Sequence, residues 1–329
     1  MKKIVVLHSD ISPEATQDEL DCLIQAQTIA AALRELNFQP ILIPFSLDLN
    51  GTIAKLQSLK PFAVFNLVET LASSGRLIHF APAVLDLLKI PYTGCPTEAV
   101  FQTSNKPLAK RIMKRFGIAT PDWLEQDGTE YRRQRLKRYL IKSSWEHASI
   151  GLDEKSLVEY KSKETLLKEM KRREKRLGGS CFAEAYLEGR EFNVALISRK
   201  EGVFVLPIAE MLFHDYAPDK LKIVDYKAKW DADSFEYNNT IRKFDFSAKD
   251  RSLIDKLKDT ALMCWKLFSL KGYARVDFRV DKKNRPWVLE INTNPCLSPD
   301  AGFAAALNQA KITYTEAIGF ILADAVNRF

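Results

Sequence analysis

Residues 273–294, YARVDFRVDKKNRPWVLEINTN, decide the reading of this chain. Two alternating runs flank a polar turn. In the first, Val276, Phe278 and Val280 alternate with Arg275, Asp277 and Arg279; in the second, Trp287, Leu289 and Ile291 alternate with Val288, Glu290 and Asn292. A period of two predicts β-strands, and the short polar turn predicts a hairpin. Successive strand residues point to opposite faces, so Glu290 and Asn292 share one. Pairing brings Asp277 toward them, which assembles two carboxylates and an amide oxygen. Such hard oxygen donors suit Mg²⁺, which fills its remaining positions with water or phosphate oxygens. The competing reading is a solvated strand face with two acids. The Glu290-x-Asn292 ending, followed by a Thr-Asn-Pro loop, favours the metal.

Outward from the hairpin, the composition is that of a globular protein. The chain has 329 residues, 46% hydrophobic and 28% charged, which predicts two or three subdomains. Its apolar runs are too short to span a bilayer. The opening MKKIVVLHSD begins like a signal peptide, but its apolar part is four residues long and no cleavage site follows, so a buried first strand is expected. Cys22, Cys95, Cys181, Cys264 and Cys296 are odd in number and unpaired in spacing, which predicts reduced thiols in a cytoplasmic protein and no structural zinc. The net charge is +7, with basic runs at 132–138 and 168–176. These read first as solvated helix faces. As a long-range field they would attract ATP, an acidic substrate or nucleic acid; nucleic acid is the weakest of these, because no aromatic residues are interleaved to stack bases.

Residues 1–95 alternate strand and helix: strands at 4–7, 41–45 and 62–68, helices at 14–36 and 81–88, and a new strand from Tyr92. Strands separated by helices predict a parallel sheet covered on both faces. No G-x-G-x-x-G follows the first strand and no P-loop motif occurs anywhere. Further on, a helix is expected at 106–116, a strand delivering Lys142, a charged helix at 155–176 stopped by Gly178 and Gly179, and strands at 182–186, 191–197 and 203–210. An amphipathic helix at 247–270 carries Leu253, Leu257, Ala261, Trp265 and Phe268 as a core stripe.

The pattern Arg275-x-Asp277, a spacer, then Glu290-x-Asn292-x-x-Pro295 resembles the metal-binding core of ATP-grasp carboxylate–amine ligases, and among them the D-alanine–D-alanine ligases. The likeness covers nearly the whole chain. It implies an α/β protein, α+β in its ATP-grasp part: a Rossmann-like N-terminal domain at 1–95, a small ATP-grasp subdomain with a lid loop at 96–183, and a C-terminal subdomain with the metal and substrate site at 184–329. It also implies an ATP-dependent, ADP-forming ligase that makes an amide bond through an acyl phosphate. Its cofactors are ATP and Mg²⁺ (or Mn²⁺), its partners small amino acids or peptides, and it is compatible with a homodimer.

Particular residues follow from the same likeness. Lys106 and Lys142 fall on the lysines that reach the phosphates. The segment 138–151, RYLIKSSWEHASIG, resembles the lid, with Ser149 and Gly151 in the loop and His147 and Ala148 replacing a glycine and a serine. His147 reads as a solvent-exposed loop histidine. In the string CFAEAYLEGREFNVALIS at 181–198, Glu184 would accept from the adenine amino group, the Leu187 backbone would read the adenine edge, Tyr186 would pack on the base and Glu191 would bind the ribose hydroxyls. Lys229 matches the lysine at the transferring phosphoryl group, and Arg275 the arginine that steadies the tetrahedral oxyanion.

The amino-acid positions depart from the family. Trp230 replaces a tyrosine beside the first D-alanine, and Cys296 a glycine. Asp300 and Ala301 stand in place of a carboxylate-binding serine, and the loop 69–76, from Glu69 to Arg76, lacks the family's H-G-x-x-G-E-D-G. The expected substrate is therefore not plain D-alanine, and a basic group facing Glu69 or Asp300 fits better. Two rivals are a small-molecule kinase or synthetase on the same fold, and a non-catalytic nucleotide-binding module recruiting an acidic partner.

Overall fold

The structure is a computed structural model that describes residues 1–12, 14–131 and 137–329. Five residues of the first basic run, 132–136, lie outside the described residues. In the second run, Lys168, Lys171, Arg172, Lys175 and Arg176 are exposed, as expected of a solvated face, while Arg173 is buried.

The N-terminal unit comprises β1 (Lys3–Ser9), α1 (Gln17–Glu35), β2 (Gln39–Phe45), α2 (Leu49–Leu59), β3 (Ala63–Leu67) and α3 (Phe80–Leu88). Its strands pair in parallel in the order β2-β1-β3. Tyr92 adds a parallel bridge to Val64. Pro40 and Pro44 lie on β2, at the edge, where a missing N–H costs no ladder bond. Ile4 and Val6 of β1 face one core with α1, and Val5 and Leu7 face another with α2 and α3, so both faces are covered. The helix α2 has no counterpart in the sequence reading, although Asp48 caps it by accepting from Gly51 N at 2.9 Å.

The chain continues through α4 (Thr97–Ser104), α5 (Lys106–Arg115), β4 (Trp123–Glu125), β5 (Glu130–Tyr131), β6 (Arg138–Ser143), β7 (Leu157–Glu159), α6 (Lys163–Arg173) and β8 (Cys181–Ala185). The small antiparallel sheet has the order β5-β4-β8-β6-β7. The single helix expected at 155–176 is broken into β7, paired with β6, and α6. Ser162 explains the late start, since its hydroxyl accepts from Thr165 N and caps α6. Gly178, at φ 75°, ends this segment in the left-handed region as expected.

The large sheet is built from β9 (Arg190–Arg199), β10 (Gly202–Val205), β11 (Ala209–Phe213), then, after α7 (Tyr226–Trp230) and α8 (Phe235–Asn239), β12 (Thr240–Lys243), and after α9 (Arg251–Leu267), β13 (Tyr273–Val280) and β14 (Pro286–Asn292). Its order is β12-β11-β9-β13-β14, with β10 also on β9. The run expected as one strand at 203–210 is two, because Pro207 interrupts the ladder. Leu253, Leu257, Ala261, Trp265 and Phe268 pack on this sheet as the predicted stripe. Two helices, α10 (Gly302–Gln309) and α11 (Tyr314–Asn327), close the chain and join α1 in one core with Ala195 and Ile197 of β9.

One glycine is indispensable to this packing. Gly189 has φ 152°, and a Cβ there would lie 1.8 Å from the Val280 carbonyl oxygen. Only glycine lets the link between β8 and β9 cross so close to the end of β13.

Candidate active site

The functional face begins with register. Along β13, Val276, Phe278 and Val280 enter the core, leaving Arg275, Asp277 and Arg279 on the other side. Residues opposite one another in antiparallel strands share a face. Asp277 lies opposite Asn193 on β9 and Glu290 on β14, Arg279 opposite Glu191, and Arg275 opposite Asn292. The predicted set of Asp277, Glu290 and Asn292 is thereby brought onto one surface. The alternation predicted for β14 is corrected: a bulge beside Asp277 shifts the phase. Val288 and Ile291 are the core residues, and Leu289 turns with Glu290 and Asn292 toward the cavity.

That surface is the floor of a cavity of 640 Å³. Strands β6 and β8 of the small sheet contribute Leu140, Lys142 and Glu184 to its lining, and the loop after β6, α7, α1 and the residues after β14 contribute further side chains. Lys106, Lys142, Ser149, Glu184, Tyr186, Leu187, Glu191, Lys229, Trp230, Arg275, Asp277, Glu290, Asn292, Glu69, Cys296 and Asp300 all line it. The residues picked out along the sequence thus converge on one space.

Their contacts are specific. Arg275 clasps Asp277 through Nε–Oδ1 at 2.7 Å and Nη2–Oδ2 at 2.8 Å, and Asn193 Nδ2 donates to Asp277 Oδ1 at 2.8 Å. Arg279, missed in the sequence reading, pairs with Glu191 at 3.0 Å. Lys106 Nζ donates to the Glu146 carbonyl at 2.7 Å and stands 3.9 Å from Glu290. Burial would raise the Glu290 carboxyl, but Lys106 and Lys229 outweigh it and hold the group well below the usual carboxylate range. Burial lowers the Lys106 and Lys229 ammoniums, with Glu290 opposing in each case. Lys229 makes no hydrogen bond or ion pair to any described residue, leaving a cation free toward the cavity.

Glu184, 2% exposed, is gripped by Lys142 and by Lys110, whose Nζ lies 2.7 Å from Oε1. Lys110 is another residue the sequence reading missed. It lies one helical turn beyond Lys106 and is 1% exposed, with a second bond to Thr120 at 2.7 Å. Its position four residues after Lys106 was the available signal, since i and i+4 share a helix face. Burial pushes Lys110 down to about 8.

The loop after β6 lies across the cavity. Ser149 Oγ donates to the Val224 carbonyl at 3.0 Å, and Trp230 Nε1 to the Ala148 carbonyl at 3.3 Å. Glu146 Oε2 accepts from Gly75 N at 2.9 Å, tying the loop to the N-terminal unit. Ala148 and Ser149 both have positive φ, 57° and 61°, a strained conformation for residues with a Cβ. His147 is not a solvent-exposed loop residue, as was expected. It lines the cavity, and its Nε2 is buried without a hydrogen-bond partner.

The far wall is acidic. Asp21 accepts from Ser298 Oγ at 2.6 Å and from Cys296 Sγ at 3.0 Å. Gln25 Nε2 donates to Glu69 Oε1 at 3.1 Å. Burial, with Asp21 adding repulsion, pushes Glu69 up to about 7. The Cys296 thiol is driven far above its ordinary range by burial and Asp21, so it serves as a donor and not as a nucleophile. Arg242, on β12, donates to the Asp300 carbonyl at 3.3 Å at the cavity mouth.

A cleft between a small antiparallel sheet and a larger one, floored by carboxylates and an amide and ringed by lysines, defines an ATP-grasp protein. Residues 112–323 match the family described as D-ala D-ala ligase C-terminus. The D-alanine–D-alanine ligase of Aquifex aeolicus is 30% identical over 305 residues, covering 90% of this chain and 92% of that one. An uncharacterized protein of Sinorhizobium fredii is 28% identical over 310 residues, covering 92% and 88%. The Bacillus anthracis D-alanine–D-alanine ligase complexed with ATP has the same fold, with a TM-score of 0.72 at 19% identity, covering 100% of this chain and 98% of that one. The chain belongs to the D-alanine–D-alanine ligase family and is a D-alanine–D-alanine ligase-like, ATP-dependent ligase. Among the described residues no helix is long and apolar enough to cross a membrane.

Proposed function

We propose that the protein activates a carboxylate with ATP as an acyl phosphate and passes it to an amine, with substrates other than plain D-alanine. The single observation that carries this reading is the rung Asn193–Asp277–Glu290 beside Arg275, facing the unpaired Lys229. Phosphoryl transfer needs positive charge fixed around a terminal phosphate more than it needs a nucleophilic side chain. A nucleotide-binding module would need no arginine and lysine at the terminal-phosphate end.

The donors fit Mg²⁺ in kind: two carboxylates and an amide oxygen, hard ligands on adjacent strands. When bound by Asp277, Glu290 and Asn292, the ion supplies charge neutralisation at the phosphates. Lys106 and Lys142 would hold the phosphates as point charges. Glu184, Tyr186, the Leu187 backbone and Glu191 would hold the nucleoside. Glu184 stays charged between its two lysines and keeps lone pairs free to accept. Lys229 would meet the moving phosphoryl group, and Arg275 would donate to the oxyanion formed when the amine attacks. The loop carrying Ser149 would exclude water from the acyl phosphate.

At the acidic wall, Asp21 and Glu69 favour a substrate with a cationic group, held by Glu69 and flanked by Trp230, Cys296 and Asp300. Residues 1–95, 96–183 and 184–329 are proposed as the three working parts. The five free cysteines accord with a cytoplasmic enzyme. The test is ADP release with Mg²⁺-ATP and a panel of D- and L-amino acids, basic amino acids and dipeptides, with products identified by mass. A basic partner yielding an amide supports the reading. D-alanine dimer as the main product overturns the substrate assignment, and free phosphate without an amide overturns the ligase chemistry.

A further inference from the structure

Among the described residues, His147 is the cavity-lining side chain with a buried polar atom that nothing satisfies. Buried polar groups in native proteins are almost always paired, so an unsatisfied one on a residue that lines a functional cavity calls for a partner absent from the folded chain itself. We propose that His147 is a further catalytic residue, whose Nε2–H donates to the terminal phosphoryl group of the bound nucleotide. The inference rests on the ATP-dependent reading above and deepens it.

The surroundings identify the partner as anionic. Lys106 Nζ is bonded to the carbonyl of Glu146, the residue before His147, so ammonium and imidazole are held at one corner of the cavity. The backbone there is fixed on both sides: Ile150 N donates to the His147 carbonyl at 3.1 Å, and Trp230 Nε1 to that of Ala148 at 3.3 Å. The free ammonium of Lys229 belongs to the same corner, and its field reaches the ring. Burial, then the charges of Lys106 and Lys229, hold the imidazole down at about 3, so it is neutral wherever the enzyme works. A neutral imidazole carries one N–H donor. An ammonium substrate is repelled from two lysines and drawn to the acidic wall of Asp21 and Glu69. A phosphoryl oxygen is attracted to those lysines and can accept from Nε2–H. The resemblance puts a glycine at this position in related ligases, so the donor would be peculiar to chains that carry a histidine here.

The experiment is calorimetric titration of the full chain, in Mg²⁺, with ADP and with a non-hydrolysable imido analogue of ATP. His147→Ala should weaken the analogue about tenfold and leave ADP within about twofold, the loss of one hydrogen bond to a charged group. His147→Gln, which keeps an N–H donor, should recover part of the loss. His147→Gly replaces the alanine variant if that one does not fold. An equal loss for both nucleotides, or no loss, overturns the proposal while the nucleotide-dependent reading stands. A wild-type chain that binds neither nucleotide overturns both.

Discussion

Replacing Glu184 with glutamine keeps the shape of a side chain that is 2% exposed and removes its charge. Lys110, 1% exposed and 2.7 Å away, is then left without a carboxylate, with Thr120 and the Trp123 ring beside it, and Lys142 loses its anion as well. Breaking a buried pair from one side costs about 3–5 kcal/mol, because the remaining charge is left desolvated and uncompensated. With the unfolding entropy of a chain of this length, ~4 kcal/mol corresponds to a fall in melting temperature of about 6 °C. Removing the stranded charge should reverse much of this: the double variant Glu184→Gln, Lys110→Met should regain about 2 kcal/mol over the single one. Thermal and urea melts of the four proteins in the cycle, without nucleotide, measure both numbers. A double variant no more stable than Glu184→Gln would refute the claim that Lys110 depends on Glu184. Nucleotide binding should stay impaired in both, since the carboxylate proposed to meet the nucleoside is gone.

Lys229→Met should lower turnover about a hundredfold or more while leaving the melting temperature unchanged or higher, because the substitution removes the proposed phosphoryl contact but no partner among the described residues; a normal rate would remove it from the phosphoryl-transfer step. Glu69 binds a proton more tightly folded than unfolded, so the stability it contributes is present at low pH and lost as pH rises through about 7. Glu69→Gln should therefore gain up to about 3 kcal/mol over wild type at pH 8 and almost nothing at pH 4.5, a difference read from urea melts at the two pH values; a pH-independent difference would contradict the buried-acid account. Gly189→Ala places a Cβ against the Val280 carbonyl and should yield little soluble protein; a variant melting like wild type would show that the β8–β9 link can move aside.

How much of this was legible in the sequence depends on the range of the interaction. The β13 alternation was readable because one face is core and the other site, and local period reports that directly. The phase of β14 was not, since its bulge arises in pairing with β13 and leaves no mark in the residues of β14 alone. Pro207 and Ser162 do mark the broken strand and the late helix start, but each was overridden by a longer apolar or charged run. The residues that converge on the cavity came from short motifs. Lys110 and Arg279 were missed because each reads as an ordinary basic residue until the fold brings Glu184 or Glu191 against it. His147 was misread for the same reason: loop composition indicates exposure, whereas Lys106 and Trp230, far away in sequence, bond the carbonyls on either side of it and hold the loop at the cavity.

The central claim is that oxygen ligands on adjacent strands, with the lysines facing them, hold a nucleotide so that its terminal phosphoryl can move to a carboxylate. The direct measurement is ADP release by Glu290→Gln at saturating Mg²⁺-ATP, with the best substrate of the panel and a melt showing that the variant is folded. The account predicts a fall of about a hundredfold or more. A folded variant that turns over at the wild-type rate would contradict it.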